Sequence, residues 1–227
     1  MMNNKDYSKY YRKEEGKDHI EHIRFLKRTI GKKYLDKTFS NFDKSKSPKA
    51  YDACRLYAKN FLSNRNEGIG LFITGPVGSG KTHLVSAIID YIARLHKRKV
   101  KDLIFKSSAN LLSEIRFSFD SKSTESLVKG FETADLLVID DLGIEKSSDW
   151  THEIFHKIID SRYSNLMPVI ITSNFTDIEL KEKMSERIIS RIYEMCRGIK
   201  LTGKDYRISN KIIKRFQGGK NDIKEKA

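Results

Sequence analysis

Short, mostly apolar runs recur along the chain, and between them the apolar positions fall three and four apart. The runs are Leu71-Phe72-Ile73-Thr74, Leu103-Ile104-Phe105, Leu136-Leu137-Val138-Ile139, Val169-Ile170-Ile171 and Ile199-Lys200-Leu201. Continuous runs, rather than alternation, predict strands buried on both faces, as in a parallel sheet covered by helices on either side. After the first run, Leu84, Val85, Ile88, Ile92 and Leu95 mark a helix packing one face on that sheet. Ahead of it, the polar breaker Ser45-Lys46-Ser47-Pro48 introduces a helical pattern from Ala50 through Leu62 that ends near Asn64 and Gly68. A weaker apolar face, Ile20, Ile23 and Phe25-Leu26, predicts a helix over Asp18 to Thr29. The pattern predicts an α/β fold with a five-stranded, mainly parallel sheet over 37–217. A short basic appendage, 1–36, precedes it, and a Lys-rich tail, 218–227, read as disordered, follows.

Length and charge narrow this little but usefully. At 227 residues there is room for one sizeable α/β domain plus an appendage. The 44 Lys and Arg against 30 Asp and Glu give a net charge of +14, which favours polyanionic partners such as nucleic acid. Because the charge is spread along the chain, solubility alone is the competing explanation. Cys54 and Cys196 form no CxxC pair, so neither structural zinc nor a disulfide framework is expected, and a reducing cytoplasm fits. The polar amino terminus and the lack of a long apolar run predict a protein neither exported nor inserted in a membrane. His19 and His22 share one possible helix face, but no further ligand is near, so solvated side chains are expected there.

The chemistry begins directly after the first strand. Gly75-Pro76-Val77-Gly78-Ser79-Gly80-Lys81-Thr82 has the spacing of a phosphate-binding loop. Gly75 and Gly80 let successive N–H groups converge, Lys81 reaches the β- and γ-phosphates, and Thr82 can ligate Mg²⁺. The helix beginning at Lys81, with His83 in its first turn, aims its positive end at the same phosphates. A Gly-rich turn with a solvated Lys is the bland alternative, which the strand before and the helix after disfavour. Leu136 to Ile139 runs into Asp140-Asp141, the complement such a loop needs: Asp140 to hold Mg²⁺, Asp141 to orient or deprotonate a water. Val169 to Ile171 leads into Thr172-Ser173-Asn174, where the Asn174 amide can orient a water, although alone it reads as a turn residue.

At these residues the chain resembles a known family. Asp140-Asp141-Leu142-Gly143, Thr172-Ser173-Asn174, Ser185-Glu186-Arg187-Ile188-Ile189-Ser190-Arg191-Ile192 and Gly203-Lys204-Asp205-Tyr206-Arg207 occur in the order and spacing of the DnaC/IstB-like AAA+ ATPases. The resemblance covers roughly Thr38 to Ile212. It implies a P-loop NTPase of the AAA+, ASCE type with ATP and Mg²⁺ as cofactors. Gly75 to Thr82 would be Walker A, Asp140 and Asp141 Walker B, and Asn174 sensor I. Arg191 resembles the arginine finger, with Arg187 as alternate, and Arg207 resembles sensor II. An arginine finger implies self-assembly, with Arg191 acting in trans; otherwise Arg187 and Arg191 merely pair with Glu186 or Glu194. The chain departs from most AAA+ ATPases at Asp141, where they carry Glu, which predicts slow turnover. It also leaves room only for a reduced carboxyl-terminal lid, and its amino-terminal part lacks the cysteine cluster of the zinc-bearing loaders.

The resemblance implies a helicase loader that binds a hexameric replicative helicase and single-stranded DNA, switched by ATP. Arg116, Phe117, Lys122 and Lys129 are the candidate DNA contacts, against a solvated helix face with a core aromatic. The alternatives are a transposase helper on duplex DNA, a small-molecule kinase, and a DNA-binding scaffold that does not hydrolyse ATP.

Overall fold

The five apolar runs become five strands in this computed structural model, which describes residues 17–202 apart from 97, 98, 101, 119 and 146, and only the backbone of 17–19 and 177. They are β1 (Gly70–Thr74), β2 (Leu103–Ser107), β3 (Leu136–Asp140), β4 (Val169–Ser173) and β5 (Cys196–Lys200), in the order β2-β3-β4-β1-β5. Every pairing is parallel. The last strand begins three residues earlier than its apolar run, and Leu201 follows it, buried, with its N–H bonded to the Thr74 carbonyl.

Between the strands lie α4 (Lys81–Leu95), α5 (Ser108–Arg116), α6 (Ser121–Thr133), α7 (Asp149–Ser164), α8 (Asp177–Lys183) and α9 (Glu186–Met195), and ahead of the sheet α1 (Lys17–Thr29), α2 (Pro48–Lys59) and α3 (Phe61–Asn66). Strand alternation splits the interior into two layers. Leu71, Ile73, Leu136, Val138 and Ile170 face one cluster with Leu84, Ile88 and Ile92 of α4. Phe72, Leu137, Ile139 and Ile171 face the other, with Leu111, Phe131, Phe155, Ile159 and Ile192 from α5, α6, α7 and α9. Each fully buried Leu or Ile contributes roughly 1.5 to 3 kcal/mol, which is why runs apolar on both faces hold a two-sided sheet.

Four expectations change in detail. The single helix expected from Ala50 to Leu62 breaks at Asn60 (φ −98°, ψ 20°), which ends α2 and opens α3. Leu95, expected on the buried face of α4, is 42 % exposed as the last residue of that helix. The segment read as an appendage joins the core: Leu26 and Ile30 are buried in the same cluster as Ala58 and Ile88. Nor is His22 solvated. It is buried, with Nε2 2.9 Å from Asp90 Oδ1 on α4, an oxygen that also accepts from Arg94 Nε at 3.0 Å. Among the described residues no group of three or more His, Cys, Asp or Glu is placed to hold a metal ion, and no helix is long and apolar enough to cross a membrane.

Arg162 on α7 is fully buried and ties the second layer together. Its guanidinium donates to the carbonyls of Phe131 (2.7 Å), Glu132 (3.3 Å), Ala134 (3.0 Å) and Pro168 (2.5 Å). It thereby satisfies the end of α6 and the entry to β4. Burial pulls its pKa down to about 9.

Candidate nucleotide site

With every strand parallel, all carboxyl ends lie along one edge of the sheet, where ligands of open α/β folds bind. β4 lies between β1 and β3, so the loop after β1, the carboxylates after β3 and the end of β4 converge there. The loop itself requires its glycines. Gly75, Gly78 and Gly80 have φ of 151°, 74° and 100°. A Cβ on Gly75 would meet the Leu201 carbonyl at 2.6 Å, and one on Gly80 would meet the Phe42 ring at 2.9 Å. Gly80 also caps α4, leaving its first N–H groups aimed into the loop.

Lys81 Nζ donates to Gly75 O (2.7 Å), Pro76 O (3.0 Å) and Asn174 Oδ1 (2.5 Å). The other end of that amide, Asn174 Nδ2, donates to Asp141 Oδ1 at 3.2 Å. Thr82 Oγ1 lies 3.1 and 3.3 Å from the two Asp140 oxygens. Burial, and then the neighbouring Asp141 charge, push the Asp140 carboxyl above its usual value, opposed by hydrogen bonds from Thr172 and Thr82 and by the charge of Lys81. These groups edge a 520 Å³ cavity lined by Gly78 to His83, Val77, Asp141 and Asn174. His83 Nε2 is shared between Thr38 O and Asn41 Oδ1, both at 3.0 Å, and its ring stands edge-on to Phe42. Burial lowers the His83 pKa, disfavouring the charged ring.

The residues present fit a nucleoside triphosphate with Mg²⁺. Ser79 Oγ is buried within the loop without a hydrogen-bond partner, and the space beside Gly75 and Gly80 admits no side chain. A hydroxyl against a carboxylate, Thr82 against Asp140, is the oxygen set that Mg²⁺ takes alongside phosphate oxygens.

Two residues singled out from sequence are not part of this convergence. Arg191 Nη2 lies 2.5 Å from Asp160 Oδ1 on α7, with the guanidinium 5.5 Å from the Tyr163 ring centre. Arg187 reaches the same oxygen at 3.8 Å, so the partner of both is Asp160 and not Glu186 or Glu194. Neither lines the cavity. Arg207, the reduced lid and the tail lie outside the described residues.

Sequence reasoning missed Thr172, whose Oγ1 donates to Asp140 Oδ1 at 2.7 Å and accepts from the Asp141 N–H at 2.9 Å. Its signal was a hydroxyl at the end of an otherwise apolar strand. It also missed Lys33, Tyr34, Lys37, Asn41 and Phe42, which line the far side of the cavity.

A parallel sheet in this order, with the lysine of the phosphate loop tied through a β4 amide to a carboxylate after β3, defines an AAA+ P-loop ATPase. The chain belongs to the bacterial DnaA ATPase domain family, whose sequence pattern matches residues 32–199, and within it is DnaC-like. The replicative helicase loader DnaC of Buchnera aphidicola subsp. Schizaphis graminum is 32 % identical over 165 residues, 70 % of this chain and 64 % of that protein. The chain thus spans less than two thirds of the length of that curated relative. A crystal structure of the DnaC helicase loader superposes with a TM-score of 0.64 at 29 % identity, covering 75 % of this chain and 99 % of that one. AMPPCP-bound DnaA from Aquifex aeolicus shares the fold, with a TM-score of 0.59 at 24 % identity over 79 % of this chain and 55 % of that one.

Proposed function

We propose that the protein is an ATP-controlled loader of a hexameric replicative helicase, acting in the cytoplasm on single-stranded DNA. The observation that carries the switch is the link from Lys81 through Asn174 to Asp141, which spans three strands and ends in the cavity. The likeness to DnaC loaders supports the task. The Gly75 to Thr82 loop and the α4 N-terminus grip the phosphates, Ser79 Oγ donates to one of them, and Thr82 with Asp140 holds Mg²⁺. When bound, that ion would neutralise the charge that develops on the phosphates. Asn174 orients the attacking water and Asp141 polarises it. The Asp141 carboxylate is one methylene shorter than the usual glutamate, so turnover is slow.

Arg191 acts in trans after leaving Asp160, and the free energy for that exchange comes from the γ-phosphate of a neighbouring subunit. Arg187 is its alternate, and Arg207 contacts nucleotide as sensor II. Single-stranded DNA lies along α5 and α6. In support, Phe117 is 73 % exposed, and the Arg116 guanidinium stacks 4.5 Å above the half-buried Trp150 ring, which keeps the cation at the surface. Lys122 and Lys129 follow on α6. The test is affinity purification from the native cell with ATP present. Recovery of a hexameric helicase supports the loader, whereas recovery of a transposase with no hexameric helicase replaces it with a transposase helper.

A further inference from the structure

Asp141 occupies the left-handed region of backbone space (φ 58°), which a residue with a side chain keeps only when its surroundings hold it there. Its N–H is held by Thr172. Its carbonyl is held by Ser108, the first residue of α5, whose Oγ lies 2.9 Å from Asp141 O and 2.6 Å from Glu145 Oε2. The other oxygen of that carboxylate, Glu145 Oε1, accepts the Gly143 N–H at 3.2 Å. Glu145 therefore closes the turn after β3 on itself and onto α5 at once. The turn is backed on its other side: a Cβ on Gly143 (φ 95°) would meet Phe175 at 2.9 Å and Leu180 at 3.1 Å.

We propose that Glu145 is a positioning residue for ATP hydrolysis, locking Asp141 in its left-handed conformation through Ser108 and the Gly143 N–H, and so fixing where the Asp141 carboxylate meets the cavity. This rests on Asp141 polarising the attacking water. Ser108 is fully buried, so its one proton is shared between two protein acceptors and not with solvent. Among the described residues the hydrogen-bond partners of Glu145 are Ser108 and the Gly143 N–H, neither of which lines the cavity, so it acts on the catalytic step and leaves nucleotide binding alone. Because Ser108 opens α5, the same contact makes the α5–α6 layer a part of the hydrolytic machinery.

The test uses the full chain, with steady-state hydrolysis, binding of a fluorescent N-methylanthraniloyl ATP and thermal melting on each variant. Glu145→Ala should lower kcat by about tenfold or more, as expected for misplacing a reacting group, with KM and the fluorescent-nucleotide Kd within about twofold of wild type. Glu145→Gln, which keeps one acceptor and turns a donor toward the other partner, should fall between. Ser108→Ala should resemble Glu145→Ala, and the double variant should be no slower than the slower single, because both break one linkage. If Glu145→Gln and Ser108→Ala melt lower yet keep wild-type kcat while Asp141→Asn is inactive, the linkage is structural and the proposal falls alone. If Asp141→Asn hydrolyses at the wild-type rate, the proposal falls together with the role of Asp141 beneath it.

Discussion

Lys81, the first residue of α4, and Asn174, directly after β4, are joined by a 2.5 Å hydrogen bond from ammonium to amide oxygen. The lysine is thus held by an amide and two carbonyls of its own loop, and a bound phosphate would compete for part of that set. Lys81→Ala should weaken binding of a fluorescent ATP analogue at least about a hundredfold, since it removes a charge-assisted phosphate contact. Asn174→Ala should leave that affinity near wild type and lower kcat by about 10²-fold, the scale for losing one oriented polar group at a reacting centre. Equal losses in both measurements would contradict the division of labour.

Asp140 gives a pH-dependent prediction. Its pKa is raised on folding, mainly by burial, so between its ordinary value and its folded value the native state binds more protons than the unfolded chain. Its contribution to stability therefore falls as pH rises through that window and stays low above it. Asp140→Asn should melt higher than wild type near neutral pH without ligand. With ATP and Mg²⁺ the order should reverse, because only the carboxylate gains from the ion. Melting curves with and without the ligand pair give both comparisons.

Arg191→Ala should reduce hydrolysis by about 10³-fold, at the low end of what a guanidinium at the γ-phosphate contributes. Mixing that variant with Lys81→Ala, inactive for a different reason, should restore turnover, because an intact phosphate loop then meets an intact arginine across a subunit boundary. Absence of rescue over a range of mixing ratios would remove Arg191 from the trans role.

For DNA, Phe117→Ala should weaken binding of a fluorescent oligothymidylate by about 1 to 3 kcal/mol, the range for one base stacked on an aromatic ring. Lys122→Ala and Lys129→Ala should instead flatten the dependence of affinity on salt, each by about 0.7 in log–log slope if it neutralises one phosphate.

Arg162→Met should lower unfolding free energy in urea by about 3 to 5 kcal/mol, because it leaves buried carbonyls without their donor. The nucleotide affinity of the folded fraction should not change.

The sequence made the strands legible because a sheet buried on both faces needs unbroken apolar runs, and made the phosphate loop legible because glycine and lysine there have few substitutes. Asp140 and Asp141 were legible as the acidic end of an apolar strand that complements such a loop, and the role expected of Asn174 came with the family resemblance. The rest depends on contacts distant in the chain. Nothing in the local pattern says that Asp160 meets Arg191, that His22 meets Asp90, or that the Thr172 hydroxyl turns toward two carboxylate-bearing residues and not to its own backbone. Lys33 to Phe42 escaped notice because their role, closing the far side of the cavity, leaves no periodicity.

The two-layered interior separates the helix that follows the phosphate loop from the surface proposed to meet DNA and a neighbouring subunit. α4 and the amino-terminal helices lie under one face of the sheet, while α5, α6, α7 and α9, with Phe117 directly after α5 and Arg191 on α9, lie under the other. On the proposed function, a signal from bound DNA or a neighbouring subunit would have a short route to the phosphate around the carboxyl rim, through Ser108, Thr172 and Asn174. Either helical layer could then be remodelled without touching the phosphate loop, so long as that rim of hydroxyls and amides is left in place.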